Sequence, residues 1–452
     1  MGKLFGTDGV RGVANVELTP ELAFAIGRAG AATVMKGRTS ASIAIGKDTR
    51  VSCDMLEASV AAGIMSVGGH VLRLGVVPTP AVAFLTRDLG ADAGIVISAS
   101  HNPIEYNGIK FFSAEGFKLS DEEEEEIEYL VLGYDGEPSG RQDKLPRPQG
   151  GGVGRMHIVD DAEDRYVRFA TSLGPDLSGL KIVVDCANGA AFRVAPRILR
   201  ELGAEVIPIN VDPNGLNINV ACGSTHPEVA SRAVLEYGAD LGLSHDGDAD
   251  RVIAIDEKGN VVNGDHIMAI CGLDLLRRGK LPRNSIVATV YSNLGLSRAF
   301  EREGGEVICA KAGDRYVLEE MRKQGIILGG EQSGHIIFLE QNTTGDGIIT
   351  SLNLLRTLIQ SGKPLSLLAR QMPEYPQLLI NVRVVDKEKY RCSAKVAQAV
   401  KEAEEKLGRE GRIFVRPSGT EPLIRILGEG PDPSIIHEVV HSLAGIIREE
   451  CG

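Results

Sequence analysis

One pattern, strand, helix, strand, helix, strand, occurs three times in the chain at intervals of about 100–140 residues, and it constrains the fold more than any other feature. The opening strands read Ile43-Ala44-Ile45-Gly46, Lys181-Ile182-Val183-Val184-Asp185 and Ser285-Ile286-Val287-Ala288-Thr289-Val290. These short apolar runs have the composition of strands buried on both faces. Each precedes a helix-period segment and a second strand led by glycine, at Gly69–Leu74, Gly203–Ile209 and Gly305–Ala310. Third strands follow at Gly90–Ser98, Gly238–Ser244 and Gly325–Gly330, the first two sharing Gly-Ala-Asp-x-Gly. Alternating strands and helices imply right-handed crossovers, with ligands beyond the carboxyl ends of the strands, and polar residues cluster at those ends.

The expected fold is therefore α/β: three similar domains with mixed, largely parallel sheets, plus a smaller C-terminal α+β domain, around a central cleft. The fourth domain is expected because Glu374-Tyr375-Pro376 reads as a boundary and Leu378–Val384 as an alternating strand. The boundaries are expected at 1–155, 156–254, 255–370 and 371–452. Pro146–Gly152 reads as a linker or turn. The acidic run Asp121–Glu126 reads as a solvated helix start, with Ser120 and Glu123 at capping-box spacing.

Four loops carry chemistry. After the first third strand comes Ser98-Ala99-Ser100-His101-Asn102-Pro103, then Asn107-Gly108-Ile109-Lys110. A serine beyond a strand end can present its hydroxyl to a cleft, although the same hexapeptide is also an ordinary strand exit. After the second comes His245-Asp246-Gly247-Asp248-Ala249-Asp250-Arg251. Carboxylates on alternate residues of a glycine-containing loop can converge on one cation, and hard oxygen ligands suit Mg²⁺. A calcium loop is disfavoured, because its twelfth position would be Glu257, beyond the strand Val252–Ile255. After the third comes Gly330-Glu331-Gln332-Ser333-Gly334-His335, whose donors and acceptors suit sugar hydroxyls. The last domain offers Arg416-Pro417-Ser418-Gly419-Thr420-Glu421-Pro422-Leu423-Ile424-Arg425, two arginines and two hydroxyls about a glycine turn that can hold an anion.

Composition narrows the partners. A length of 452 residues favours three or four domains. A net charge of −12 argues against nucleic acid and anionic membranes, and a chain without Trp has little from which to build stacking platforms. The seven cysteines form no C-x-x-C pair and read as reduced thiols. The first residues contain no apolar signal segment, and no run approaches 18 apolar residues, so a cytoplasmic location is expected.

In these loops, and in Phe5-Gly6-Thr7-Asp8-Gly9-Val10-Arg11-Gly12, the chain resembles the α-D-phosphohexomutase superfamily along essentially its full length. Gln332, Cys222–Pro227 and Gly313–Tyr316 resemble its bacterial glucosamine-phosphate branch. Ala249, where many relatives have Gly, and Ala312, where Val is common, depart from the pattern without removing a ligand. The resemblance implies an isomerase-class phosphotransferase with Ser100 as phosphoserine. It implies one Mg²⁺ per site, held by Asp246, Asp248, Asp250 and a phosphoserine oxygen. Lys110, Arg11, His101 and His335 would stand about the reacting centre, with Lys110 moving the proton. Arg251, Glu331 and Ser333 would bind the sugar, and Arg416, Ser418, Gly419, Thr420 and Arg425 the phosphate that is not transferred. Glucosamine 6-phosphate and glucosamine 1-phosphate would interconvert through a 1,6-bisphosphate, with glucosamine or glucose 1,6-bisphosphate as activator, feeding UDP-N-acetylglucosamine and cell-wall precursor synthesis. The fourth domain is expected to hinge near Pro373–Pro376. Mannose or glucose phosphates are the alternative substrates, a phosphatase or a sugar-phosphate sensor the more distant readings, and a homodimer stays open.

Overall fold

Ile43, Ala44 and Ile45 have no solvent-accessible surface, and neither do Ile182, Val183 and Val184 or Ile286, Val287 and Ala288. Each run is a central strand covered on both faces, as its unbroken apolar character requires. These observations come from a computed structural model, which describes residues 4–6, 8–132, 145–387, 389–417 and 422–452. Two units are distinguished, residues 1–291 with 305–371, and residues 292–304 with 372–452.

The first unit contains three sheets. The first comprises β1 (Val10–Val13), β2 (Ser42–Lys47), β3 (His70–Val76), β4 (Ala93–Ile97), β5 (Tyr106–Ser113) and β6 (Met156–Ile158), in the order β1-β5-β4-β2-β3-β6. Helices 20–35 and 52–66 pack on the face of Ile43, Ile45 and Ile95. Val82 and Thr86, of helix 79–88, stand over Gly94 on the other face. The second sheet comprises β7 (Lys181–Asp185), β8 (Glu205–Ile209), β9 (Leu241–His245), β10 (Val252–Ile255) and β11 (Val261–Val262), in the order β11-β10-β9-β7-β8. The third comprises β12 (Ser285–Thr289), β13 (Glu306–Ala310), β14 (Leu328–Gly330) and β15 (Ile336–Phe338), in the order β13-β12-β14-β15.

A shared motif emerges. In every sheet the three strands of the sequence repeat are parallel, and the third is followed by an antiparallel return strand: β4 by β5, β9 by β10, β14 by β15. The intervening loops have eight, six and five residues, too short for the crossover that a parallel partner needs. These reversals are the three chemistry-bearing loops of the sequence.

Pro146–Gly152 lies outside the strands and ends in a 3-10 turn at Gly150–Gly152, and beyond it Met156–Ile158 extends the first sheet as the parallel neighbour of β3. One expectation is corrected. The acidic helix 121–132 has the expected capping box, with Glu123 N donating to Ser120 Oγ and Ser120 N to Glu123 Oε2. It is not wholly solvated, however, because Glu124 is buried against Arg315, which bonds it at 3.1 Å. All seven cysteines are free, with Cys309 and Cys392 exposed and the other five buried.

The second unit contains the antiparallel sheet β16 (Gln377–Arg383), β17 (Arg412–Pro417) and β18 (Leu423–Glu429), in the order β16-β18-β17. Helices 394–407 and 433–451 bury Val396, Val440, Leu443 and Ile447 against Val382, Ile424 and Ile426, the α+β arrangement expected. Asn293, at the start of helix 294–302, bonds both the N–H and the carbonyl of Tyr375.

Candidate active site

Ser100 stands in the reversal between β4 and β5, with 1% of its surface exposed and φ = +51°. A left-handed conformation at a serine costs of order 1 kcal/mol or more, so its surroundings must hold it. Arg50 does so from the carboxyl end of β2. Its guanidinium donates to the carbonyls of Ser100 (3.0 Å), Asn102 (2.8 Å), Pro103 (2.5 Å) and Tyr106 (3.1 Å). Asp48 balances that charge at 2.9 Å and accepts a hydrogen bond from Ser98 Oγ, which accepts one from Ser100 N. The loop that turns the backbone is thus tied down at four of its carbonyls.

Ser100 Oγ donates to Asp246 Oδ2 at 2.6 Å, and His101 Nδ1 lies 3.3 Å from Ser100 Oγ. Burial, then Arg251 and Arg11, lower the His101 pKa to about 4, so the imidazole is neutral at pH 7.

Asp246, Asp248 and Asp250 occupy the reversal between β9 and β10, all buried, with one carboxylate oxygen from each within 4.8 Å of the others. Gly247 allows this loop to approach the serine loop, since a Cβ there would lie 2.7 Å from Ser100 O. The Asp248 carboxylate accepts from Thr79 (2.7 Å) and Lys110 (3.3 Å). Asp248 Oδ1 and Asp250 Oδ1 are buried with no hydrogen-bond donor. Three convergent carboxylates with two orphaned oxygens fit a hard divalent cation such as Mg²⁺. Burial, then Asp250 and Asp248, push the Asp246 carboxyl well above its ordinary pKa. Burial acts the same way on Asp250, but His335, Lys110 and Arg251 outweigh it and hold that carboxyl ionised.

Lys110, on β5, is 2% exposed and lies 2.9 Å from Asp8, 3.3 Å from Asp248 and 4.0 Å from Asp250. Burial pulls its pKa down, yet Asp248 and Asp8 prevail and keep the ammonium protonated. Arg11, on β1, pairs with Asp8 and donates to Asn102 Oδ1 at 3.2 Å. His335 Nδ1 stands 3.5 Å from Asp250, and although burial opposes the charge, the surrounding acids raise its pKa to about 9.

The third reversal, Glu331–His335, meets the second through the bridge between Arg251 and His335. Glu331 Oε1 accepts from Gly313 N at 3.1 Å, Ser333 Oγ is a buried hydroxyl without a partner, and Gln332 contributes its carbonyl to Gly264 N. The structure therefore gathers Arg11, Ser100, His101, Lys110, Asp246, Asp248, Asp250, Arg251, Glu331, Ser333 and His335 around three neighbouring reversals. In the second unit Arg416 on β17 is directly opposite Arg425 on β18, so the two side chains leave the same face of that sheet. Ser418, Gly419 and Thr420 lie outside the described residues. Sequence reasoning missed Asp48, Arg50 and Asn219, whose Nδ2 also reaches Ser100 O (2.8 Å). The signal for the first two was Lys47-Asp48-Thr49-Arg50, a polar cluster directly after an apolar strand.

Comparison with known proteins covers nearly the whole chain. Models of Phosphoglucomutase/phosphomannomutase alpha/beta/alpha domains I, II and III match residues 2–137, 164–259 and 263–375, and the C-terminal domain model matches 379–446. A phosphoglucosamine mutase of Carboxydothermus hydrogenoformans is 60% identical over 99% of this chain and 100% of its own. One of Heliobacterium modesticaldum is 58% identical with the same coverage. A phosphoglucomutase/phosphomannomutase family protein of Burkholderia thailandensis shares the fold at TM-score 0.84 and 24% identity, covering 98% of this chain and 97% of that one. The Aspergillus fumigatus N-acetylphosphoglucosamine mutase in complex with GlcNAc-6P and magnesium does so at TM-score 0.69 and 17% identity, covering 99% and 96%. Among the described residues no helix is long and apolar enough to cross a membrane.

Proposed function

Because the chain belongs to the phosphoglucomutase/phosphomannomutase family, we propose that it interconverts glucosamine 6-phosphate and glucosamine 1-phosphate through phosphorylated Ser100. The observation that carries this reading is the 2.6 Å contact between Ser100 Oγ and Asp246, in a nest of three buried carboxylates. Full-length identity of 60% and 58% to phosphoglucosamine mutases supports the choice of sugar.

Phosphoryl transfer demands positioning and charge neutralisation more than covalent chemistry from the protein. In the first half-reaction the bond from phosphorus to Ser100 Oγ breaks as the bond to the sugar O1 forms. Neutral His101 accepts the O1 proton, and Lys110 gives its proton to the departing Ser100 Oγ. The bound 1,6-bisphosphate then reorients. In the second half-reaction Ser100 Oγ attacks the 6-phosphoryl, Lys110 recovers the proton, and His101 returns its own to O6, so the cycle closes in atoms and charge. Arg11, Arg251 and His335 supply fixed positive charge. Glu331 and Ser333 hold sugar hydroxyls, and Arg416 and Arg425, with Ser418, Gly419 and Thr420, hold the phosphate that is not being transferred. Asp246, Asp248 and Asp250 would hold Mg²⁺, which when bound neutralises phosphoryl oxygens and lowers the barrier to their transfer.

Glucose 1,6-bisphosphate labelled in its phosphoryl groups should leave one phosphate on the purified protein, mapped to Ser100, and Ser100→Ala should abolish both label and interconversion. A Ser100→Ala variant as active as the parent overturns the mechanism. Comparing kcat/KM for glucosamine, glucose and mannose phosphates decides the sugar, and a preference for either of the latter two overturns that assignment.

A further inference from the structure

Six side chains near the reacting centre form a closed ring in which positive and negative charges alternate. Lys110 lies 2.9 Å from Asp8, and Asp8 lies 2.6 Å from Lys118. Lys118 lies 2.5 Å from Asp314, and Asp314 lies 3.6 Å from His335 Nε2. His335 Nδ1 lies 3.5 Å from Asp250, which returns to Lys110 at 4.0 Å. Lys118, just after β5, and Asp314, first residue of helix 314–324, join the first and third sheet regions at this point.

From this geometry we propose that Lys118 and Asp314, which touch neither Ser100 nor the three carboxylates of the cation nest, are positioning residues for phosphoryl transfer, fixing Lys110 and His335 beside Asp250 of that nest. The inference rests on the function proposed above. Its physical basis is low exposure together with pairing on both sides of every member of the ring. Side-chain exposure is 2% at Lys110, 3% at His335, 8% at Asp250, 12% at Lys118, 16% at Asp314 and 23% at Asp8. In so little water each charge is held by its neighbours, and the ring has one arrangement in which no like charges adjoin. Lys118 is the cation shared by Asp8 and Asp314. Without it two carboxylates face each other, Asp8 is drawn wholly to Lys110 and Arg11, and Asp314 moves onto His335. Both catalytic cations then shift, although no group that meets the substrate has been altered.

The regions joined by this link have a second tie, so removing Lys118 need not separate them. Arg315 bonds Glu124 (3.1 Å), Asp121 and the carbonyl of Leu119. Loss of Lys118 should therefore appear in the rate of chemistry before it appears in folding.

The test compares Lys118→Met, Asp314→Asn and the double variant with the parent, using kcat, KM and thermal unfolding. Displacing reacting groups by about 1 Å costs on the order of 100-fold in rate. Each single variant is expected to lose about 10- to 100-fold in kcat with KM within about threefold of the parent. The double variant should be no slower than the slower single one, because the ring is broken once. Singles with parental kcat overturn the proposal, as does a double variant whose loss is the product of the two, or a loss confined to KM. The same comparison can be made on whichever hexose phosphate the parent uses, so failure of the glucosamine assignment, read from the parent alone, remains distinguishable from failure of the ring.

Discussion

Arg50 and Asp48 form an ion pair whose side chains expose no surface to solvent, and that pair carries the backbone of Ser100. Four carbonyls of the serine loop accept from one guanidinium. Lysine keeps the charge but cannot present a planar fork of five donors. Arg50→Lys is therefore expected to lower stability by about 2–4 kcal/mol, through carbonyls left unpaired in the interior, and to lower kcat by a larger factor than it raises KM. Urea unfolding and steady-state kinetics check both. Parental kcat in a folded Arg50→Lys variant would show that Ser100 holds its left-handed conformation without the clamp.

The cation nest makes a prediction that needs no substrate. Three buried carboxylates at mutual distances within 4.8 Å repel one another, and a divalent cation relieves that repulsion. Millimolar Mg²⁺ should raise the Tm of the unphosphorylated protein, chelation should reverse the rise and abolish interconversion, and Asp248→Asn should remove most of the Mg²⁺ response. An equal rise in the Asn variant would place the cation elsewhere.

The three repeats were legible because burial on both faces leaves an apolar signature, and Lys181–Asp185 matches β7 residue for residue. The return strands were harder. β10 was visible as the apolar strand Val252–Ile255, but the antiparallel direction of the return strands depends on the short preceding loops, a geometric constraint that composition does not carry. The site was legible where motifs concentrate polar residues, as at Asp246–Arg251 and Ser98–Pro103. Asp48 and Arg50 escaped because they act on a loop about 50 residues away, Asp48 on the Ser98 hydroxyl and Arg50 on backbone carbonyls, and Lys118 and Asp314 because their pairing spans 196 residues. Such partners become visible only once the sheets are assembled.

Glu124 should give the protein a measurable pH dependence of stability. Burial pushes its carboxyl up to about 7, against the pull of Arg315. Because the folded-state pKa lies above the ordinary 4.5, folding favours the protonated form. That contribution is complete below about pH 4.5 and is lost as pH rises through 7, for a cost of up to about 3 kcal/mol. Glu124→Gln, which stays neutral, should therefore gain stability relative to the parent between pH 4.5 and 8. A constant difference between the two unfolding curves across that range would mean that the Arg315 contact fully offsets the burial.

Gly247 tests whether the approach of the cation loop to the serine loop limits the rate. Its φ is unexceptional for any residue, so alanine brings no backbone strain, only a methyl group. That methyl would stand 2.7 Å from Ser100 O, 2.8 Å from Asn219 Nδ2 and 2.8 Å from Ile218 Cδ1, closer than carbon atoms sit. The two loops must separate by several tenths of an ångström, lengthening the 2.6 Å contact from Ser100 Oγ to Asp246. Since transfer depends on near-contact geometry, kcat for Gly247→Ala should fall by about 10-fold, and the Mg²⁺-induced rise in Tm should shrink but persist, because the three carboxylates remain on one loop. Kinetics and thermal unfolding on the same preparation separate these effects. A parental kcat would show that the serine loop yields without moving its hydroxyl, and a complete loss of the Mg²⁺ response would show that the methyl group disrupts the nest itself.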